Sequence, residues 1–436
     1  MTMRHSIAVL SIAIAACLGS ATARSATLQV PDGSYAVGVL RTEFVDASRT
    51  LDASDPASGP RRLPAVVWYP AAGTAPARGT AYMGSEDAAT TLPALARLFT
   101  YSADEVKTIA AAQVDVAPGA RPAKAGHGFP VVVYSHGLFL YPEQNSALAA
   151  RLASHGYIVV SIAHPGDSAD IRLQDGRVIA TRAAGKDDDP RFAEAWKVLA
   201  GGTGLPARRE ALSTYTKAQL GTRIGRSAEQ WRDDAVFVAR AIHDQQAPEA
   251  LRGILATADR DRLAFAGMSM GGAAAAASCR RVAVCRAAVN LDGQNIDADL
   301  YNASVGRPLL LMLSDWPRYG LFPEQPRDAD FSPNDLAYEP WDAAGRDKDV
   351  LRLRLQGIRH MGFTDLGTLL DDSKRVERFG DIKPDEATSA VGDVVLAFLD
   401  VHLRGGDAAL VDRAIGQHPA LQRHVPERLR RWADED

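Results

Sequence analysis

Cysteine is scarce in this chain, which has 3 in 436 residues, at positions 17, 279 and 285. So few cysteines exclude a fold stapled by many disulfides and a zinc site built from four thiolates. Clustered positive charge is missing as well. The 49 Lys and Arg residues are scattered along the chain. Together with 53 Asp and Glu residues they give a net charge of −4. Because nucleic-acid binding needs a basic patch or stripe, we expect no nucleic-acid partner.

Long apolar runs are confined to the amino terminus, so we expect no membrane span. Residues 1–23 combine Arg4, an apolar run from Ile7 to Leu18 and the small residues Ala21 to Ala23. This pattern is typical of a secretory signal peptide. The segment Ile14 to Cys17 offers an alternative, because it resembles the lipobox of bacterial lipoproteins, whose cysteine is acylated. We expect a secreted or periplasmic protein, with a lipid anchor at Cys17 as the alternative.

Strand-like and helix-like patterns alternate along the rest of the chain. Apolar runs such as PVVVYSHG, YIVVSIAH and RPLLLMLSD are separated by helical patterns such as NSALAARLASHG and QWRDDAVFVARAIHD. The alternation predicts an α/β fold whose mostly parallel central sheet carries helices on both faces. We expect one domain over residues 24–436. Two insertions, about 73–127 and about 168–229, would form a cap, and Asp175-Gly176 would turn a hairpin in the second.

A tight turn is predicted around Ser269. The segment Gly267-Met268-Ser269-Met270-Gly271 fits G-x-S-x-G between a strand and a helix, the context of a nucleophile elbow. Glycines flank the serine because side chains there would collide with the neighbouring strand and helix. The pattern predicts Ser269 as a nucleophile with an exposed hydroxyl.

A serine hydroxyl needs a base, and in this architecture the base follows the last strand. His360 comes shortly after the strand that ends near Gly357. We therefore predict His360 as the base. A carboxylate must orient the histidine, and two strand ends supply one, Asp292 in AAVNLDG and Asp315 in LLLMLSDW. Position along the sheet slightly favours Asp315.

Several segments together resemble a known family. PVVVYSHGL, LASHGYIVVSIAH, GMSMGG, VNLDG and GIRHMGFTDL are similar to the platelet-activating-factor acetylhydrolase group of α/β-hydrolases, particularly its exported bacterial relatives. The resemblance runs from about Tyr35 to Gly405, and the two insertions match poorly. It implies the α/β-hydrolase fold and places the acid in the LD segment. That choice is Asp292, with Asp315 in reserve.

The resemblance also implies roles for the histidine loop. The family's G-x-x-H-x-x-F-x-D pattern falls here on Gly357, His360, Phe363 and Asp365. Near the first central strand, HGL at 136–138 predicts an oxyanion hole. Its donors would be the backbone N–H groups of Leu138 and Met270. We expect His136 to make structural hydrogen bonds, and His164 to shape the site without acting as a second base.

Two cysteines remain after position 17, and both lie in SCRRVAVCR. In an oxidising compartment Cys279 and Cys285 would form a disulfide across a short turn, contributing roughly 2 kcal/mol. The alternative is two buried thiols.

Together these patterns predict a serine carboxylic-ester hydrolase that works through an acyl-enzyme. The family resemblance implies short-acyl esters or lipids as its substrates. We expect no metal and no organic cofactor. The aromatic residues Trp316, Tyr319 and Phe322 would either line an apolar pocket or pack beneath an insertion. An amidase or peptidase of the same fold, or a catalytically idle surface-binding module, are the alternatives. The acyl-chain length, the alcohol part and the oligomeric state are left open.

Overall fold

The computed structural model describes residues 28–74, 79–182, 190–201, 204–297, 300, 305–320, 350–370 and 373–434. The predicted signal peptide, Cys17 and Phe322 lie outside these residues. The strands are β1 (Ala36–Asp52), β2 (Asp55–Ala71), β3 (Thr80–Ala81), β4 (Gln113–Val114), β5 (Ala117–Pro118), β6 (Phe129–Ser135), β7 (Ile158–Ile162), β8 (Ile171–Arg172), β9 (Val178–Ile179), β10 (Ala258–Met268), β11 (Cys285–Leu291), β12 (Leu309–Leu313), β13 (Val350–Leu355) and β14 (Leu421–Arg423).

The α-helices of the described ranges vary from 4 to 21 residues. They are α1 (Ser85–Phe99), α2 (Ala103–Ala111), α3 (Ser146–Ser154), α4 (Pro190–Gly201), α5 (Gly204–Leu220), α6 (Arg223–His243), α7 (Arg252–Leu255), α8 (Met270–Arg280), α9 (Trp316–Tyr319), α10 (Leu366–Leu369), α11 (Arg375–Phe379), α12 (Pro384–Arg404), α13 (Ala409–Gly416) and α14 (Pro426–Asp434). Short 3₁₀ turns cover Pro142–Asn145, Glu249–Leu251 and His360–Phe363. None of these helices is both long and apolar enough to cross a membrane.

One sheet of ten strands organises the described residues, in the order β14-β13-β12-β11-β10-β6-β7-β2-β1-β5. The six strands from β13 to β7 run parallel, and β14 and the long β1–β2 hairpin add antiparallel strands at the sides. The central strands are apolar along their whole length because helices cover both faces. All seven residues of β6, for example, are buried. The predicted sheet with helices on both faces is confirmed.

Apolar side chains form two large core clusters, one on each face of the sheet. Helices α3 and α12 contribute Leu152 and Val394 to one cluster, and α6 and α8 contribute Val238 and Ala276 to the other. The central strands of the sheet lie between these two clusters. Because these strands run parallel, their carboxyl ends meet at one edge of the sheet. The segments that follow β6, β10, β11, β12 and β13 therefore come together there.

The two segments expected as insertions contain regular structure. In the first, α1 and α2 place Leu95 and Ile109 in the same core cluster as the strand residue Val39. The sequence pattern did not predict these helices. In the second, α4 and α5 form a small separate apolar cluster with Leu429 of α14. The hairpin before them is present as β8 and β9, and the turn residue Gly176 has φ +89°.

A disulfide joins Cys279 and Cys285, with the two Cα atoms 5.3 Å apart. It links the end of α8 to the start of β11, and both residues are buried. The predicted pairing is confirmed, and the alternative of two free thiols is wrong.

Candidate active site

Ser269 lies in a sharp turn between β10 and α8. Its backbone has φ 56° and ψ −120°, a strained conformation that costs about 1–3 kcal/mol and persists where the surroundings enforce it. The flanking glycines are required by close contacts. A Cβ on Gly267 would lie 2.3 Å from the carbonyl carbon of Gly271, and one on Gly271 would lie 2.0 Å from the Ser135 carbonyl oxygen. The turn can therefore form only with glycine at both positions.

Three predicted side chains form one hydrogen-bonded chain. The Nε2 atom of His360 is 2.9 Å from the Ser269 Oγ, and its Nδ1 atom is 2.7 Å from Oδ2 of Asp292. A carboxylate can only accept a hydrogen bond. The Nδ1 atom of His360 therefore carries a hydrogen and donates a hydrogen bond to Asp292. The unprotonated Nε2 then faces the hydroxyl of Ser269. This arrangement can remove a proton from the serine when the serine attacks an electrophile.

The carboxylate of Asp292 is held from two sides. Its backbone has φ 57°, and its N–H donates to the Met312 carbonyl at 2.8 Å. Oδ1 accepts a hydrogen bond from the N–H of Ser314 at 2.8 Å, which leaves Oδ2 for His360. The Asp292 side chain is fully buried, whereas 36% of the His360 side chain is exposed. The carboxylate is thus fixed below an imidazole that solvent and substrate can reach.

Asp315 makes a different contact. Its Oδ2 accepts a hydrogen bond from the N–H of Gly357 at 2.8 Å, and its own N–H donates to the Ile358 carbonyl at 3.0 Å. These bonds hold the beginning of the loop that carries His360. The structure therefore brings Asp292 to the imidazole and places Asp315 at the base of the loop.

The two amides predicted as an oxyanion hole belong to Leu138, three residues after β6, and to Met270, the first residue of α8. A Cβ on Gly137, the residue before Leu138, would lie 3.3 Å from the Cβ of Ser269. The neighbours of the two amides are engaged: the N–H of Phe139 donates to the Asp167 carbonyl, and that of Gly271 donates to the His136 carbonyl. For the N–H groups of Leu138 and Met270, the described residues supply no hydrogen-bond acceptor. The partial positive charge at the start of α8 adds to the preference for an anion here.

A second Ser-His-Asp arrangement is buried beneath this edge of the sheet. His164 lies 3.1 Å from the Ser135 Oγ through Nε2 and 2.9 Å from Oδ2 of Asp234 through Nδ1. Arg61 binds the same carboxylate with two hydrogen bonds of 2.7 and 2.6 Å, and Trp231 stacks on the imidazole at 3.8 Å. Both His164 and Asp234 are fully buried, so this group has no access for a substrate.

The electrostatics of the buried group follow from that environment. Burial lowers the pKa of His164, and burial together with His164 lowers the pKa of His136 well below its ordinary value. Burial would raise the pKa of Asp234, but Arg61 and His164 together outweigh it and hold that pKa well below the usual range. His136 contacts Ser168 Oγ at 2.8 Å through Nε2. Sequence reasoning did not find Arg61 or Asp234, because they are 173 residues apart.

Of the three aromatic residues considered for a pocket, two are described. Trp316 is buried and packs in the core cluster that contains α6 and α8. Two guanidinium groups lie over the Tyr319 ring, with the Cζ atoms of Arg318 and Arg359 at 5.2 and 4.2 Å from the ring centroid. Within the described part of the chain, no group of three His, Cys, Asp or Glu side chains is placed to hold a metal ion.

Solved structures define the class of fold. A ferulic acid esterase from Streptomyces cinnamoneus superimposes with a TM-score of 0.65 and 23% sequence identity, covering 92% of this chain and 100% of that one. The sheet, its strand order and this likeness define an α/β-hydrolase fold.

Sequence comparisons then find similar proteins. The family model described as platelet-activating factor acetylhydrolase, isoform II, matches residues 22–183. Two curated proteins named platelet-activating factor acetylhydrolase are similar: one from Gallus gallus is 22% identical over 64% of this chain, and one from Canis lupus familiaris is 24% identical over 65%. The matches span 63% and 59% of those relatives, less than two thirds of their length. The predicted resemblance is confirmed: the chain is similar to the platelet-activating factor acetylhydrolases.

Proposed function

We propose that this protein is a serine hydrolase that cleaves carboxylic esters through an acyl-enzyme. The observation that carries the proposal is the hydrogen-bonded chain from Ser269 through His360 to Asp292, with contacts of 2.9 and 2.7 Å. The likeness to acetylhydrolases and to a ferulic acid esterase supports the same reaction class.

In the first half of the proposed reaction, His360 Nε2 takes the proton of Ser269 as Oγ attacks the ester carbonyl carbon. The resulting imidazolium is stabilised by Asp292. When the tetrahedral intermediate collapses, the bond between carbonyl carbon and alcohol oxygen breaks, and His360 returns the proton to the leaving alcohol. A water molecule, deprotonated by the same nitrogen, then attacks the carbonyl carbon of the acyl-enzyme. As the bond from this carbon to Ser269 Oγ breaks, His360 returns the proton to Oγ, and the carboxylic acid is released.

Negative charge develops on the carbonyl oxygen in both halves of this reaction. The N–H groups of Leu138 and Met270 would donate to that oxygen. Fixed donors of this kind stabilise the transition state without having to reorganise, and losing one typically costs about 10²–10³ in rate. The start of α8 contributes to the same stabilisation.

The substrate class proposed is a small ester or a lipid with a short acyl chain. The relatives' name points to the acetyl ester of platelet-activating factor, and the name of the structural neighbour points to an ester of ferulic acid. Turnover of acetyl, butyryl and octanoyl p-nitrophenyl esters, a 2-acetyl phospholipid and methyl ferulate would distinguish these chemistries. We expect the acetyl esters to give the highest kcat/KM.

We also propose that the protein is exported. Residues 1–23 would be a signal peptide and residues 24–436 a single domain, with a lipid anchor at Cys17 as the alternative. The disulfide between Cys279 and Cys285 supports export, because such bonds persist in oxidising compartments. The intact mass of the protein from the host's exported fraction tests this. A mature chain that begins after Ala23 is expected, and a diacylated cysteine at position 17 would indicate the anchor.

The hydrolase proposal is tested by Ser269→Ala against a matched control, Ser278→Ala. Ser278 is buried in the same helix α8, and its Oγ contacts only the Arg232 carbonyl, at 3.4 Å, among the contacts of described residues. We expect Ser269→Ala to lose at least about 10³-fold in p-nitrophenyl acetate turnover, because removal of a triad member has effects of this size or more. The control should keep its activity. Equal turnover of the matched p-nitroanilide would favour an amidase, and wild-type protein no faster than buffer would favour a binding module.

A further inference from the structure

Two buried amide side chains connect the turn at 136–140, called the oxyanion turn, with the loop at 357–365, called the histidine loop. Gln144 Oε1 accepts a hydrogen bond from the N–H of Gly137 at 2.9 Å. Its Nε2 donates to Asn145 Oδ1 at 2.7 Å, and Asn145 Nδ2 donates to the Phe363 carbonyl at 2.7 Å. An unbroken series of three hydrogen bonds therefore links the oxyanion turn to the histidine loop, whose His360 contacts Ser269.

Further contacts fix the orientation of both amides. The hydroxyl of Tyr134 donates to Asn145 Oδ1 at 2.7 Å, so this oxygen accepts two hydrogen bonds. A flipped Asn145 would turn its amino group toward two donors and its oxygen toward the Phe363 carbonyl. The backbone adds a direct link, because the N–H of Asp365 donates to the Gln144 carbonyl at 2.8 Å. One arrangement of the two side chains satisfies all of these bonds.

Burial makes this series of hydrogen bonds rigid. Gln144 is 0% exposed, and Asn145 and Asp365 are each 6% exposed. Water cannot easily replace a broken bond at such a site, so each unpaired amide atom would remain desolvated at considerable cost. The separation between the oxyanion turn and the histidine loop is therefore set by these side chains together with the backbone contact.

We propose that Gln144 and Asn145 are positioning residues. They hold the Leu138 amide and the His360 imidazole at fixed positions relative to Ser269. This inference depends on the proposed function and extends it, since neither side chain hydrogen-bonds to Ser269 or His360 among the contacts of the described residues. An oxyanion donor acts only within about 2.7–3.1 Å of the oxygen it stabilises. Because Gln144 holds Gly137, whose carbonyl shares a peptide group with the Leu138 N–H, it sets the direction of that donor.

The test uses Gln144→Met and Asn145→Leu, which keep the side-chain size and remove the amide, with Ser161→Ala as the matched control. Ser161 is buried and donates to the Pro142 carbonyl at 2.8 Å, so the control removes a hydrogen bond from the same 3₁₀ turn without touching Gly137 or Phe363. Rates are expressed per site titrated with a fluorophosphonate, which removes misfolded protein from the comparison.

We expect Gln144→Met and Asn145→Leu to lower kcat for p-nitrophenyl acetate about 10- to 100-fold with KM changed less than about twofold. The inhibition constant of a trifluoromethyl ketone, which places an oxyanion in the same hole, should rise in proportion to the loss of kcat/KM. A role in stability alone would lower the melting temperature and leave both quantities unchanged per titrated site. The control should behave as wild type in both.

Wild-type kcat in both amide variants would overturn this inference and leave the proposed hydrolase intact, whereas a wild-type protein without esterase activity would overturn the proposed function itself. If the amide variants fail to fold, Tyr134→Phe provides the test, because it removes one bond to Asn145 Oδ1 and no backbone contact. A several-fold fall in its kcat at constant KM is expected. An unchanged kcat in that variant contradicts the inference.

Discussion

The buried carboxyl of Asp365 should make the stability of this protein depend on pH in an unusual direction. Asp365 is 6% exposed, and its two oxygens lie 3.4 and 3.3 Å from the N–H of Ala147 at the start of α3. Burial raises its pKa to about 8, against the opposing effect of the Ala147 and Ser146 N–H groups and the Tyr82 hydroxyl. In an unfolded chain the pKa of an aspartic acid is about 4.

The sign and size of the effect follow from this difference. Between about pH 4 and pH 8 the folded protein holds a proton on Asp365 that the unfolded chain has released. The free energy of unfolding therefore falls as the pH rises through this range, by up to about 1.4 kcal/mol for each pH unit. From pH 5 to pH 7 the contribution of this group amounts to up to about 3 kcal/mol.

The assay is urea unfolding of wild type and Asp365→Asn at pH 5, 6, 7 and 8, followed by tryptophan fluorescence. The asparagine keeps the shape and cannot ionise, so the variant's free energy of unfolding should rise relative to wild type by up to about 3 kcal/mol from pH 5 to pH 7. Burial also raises the pKa of Glu143, to about 7, but that group is present in both proteins and cancels in the difference. A difference that stays constant over the four pH values would refute the reasoning.

Two further predictions concern the site and the disulfide. Asp292→Asn should lower kcat about 10⁴-fold in steady-state kinetics. Asp315→Asn should lower kcat far less, because its amide oxygen can still accept a hydrogen bond from the loop backbone. A larger loss of kcat in Asp315→Asn than in Asp292→Asn would assign the acid to Asp315. Replacing Cys279 and Cys285 by alanine should lower the free energy of unfolding in urea by roughly 2 kcal/mol. Equal stability of variant and wild type would show that a disulfide between residues six positions apart does not stabilise this protein.

Much of the fold could be predicted because the central strands are buried on both faces. Continuous apolar runs such as PVVVYS then stand out against the amphipathic helices between them, and β6, β7, β10 and β12 lie where these runs indicated. Helices α1 and α2 could not be predicted so easily. Their segment is rich in Ala, Gly and Pro, and α1 contains Pro93 within the helix. Their position depends on packing against the sheet, which no local pattern records.

The candidate site also contains residues that the sequence could predict and a residue that it could not. Ser269 and His360 follow from local context, a turn of two required glycines and a histidine shortly after the last parallel strand. The acid does not, because Asp292 and Asp315 end adjacent strands and differ in where their carboxylates point. The φ of 57° at Asp292 and the bond from the Ser314 N–H direct one of them to the imidazole. That geometry depends on the neighbouring strand, so the residues alone left the choice open and the family resemblance was needed.

Gln144 and Asn145 carry no signal of this kind in the sequence. They follow the oxyanion turn in a polar stretch, YPEQNS, that reads as an ordinary helix start. The role proposed for them depends on contacts with Phe363 and Asp365, more than two hundred residues further along the chain. Long-range hydrogen bonds between side chains and backbone leave no periodicity that could be used to predict them.

The most direct measurement is the site of covalent labelling by a fluorophosphonate. Purified protein would be treated with the reagent, digested and analysed by mass spectrometry, with a His360→Ala variant treated in parallel. We expect one adduct, on the peptide that contains Ser269, and a rate of labelling that falls by orders of magnitude in the variant. An adduct on another serine, or equal labelling rates in the two proteins, would contradict the claim that His360 activates Ser269.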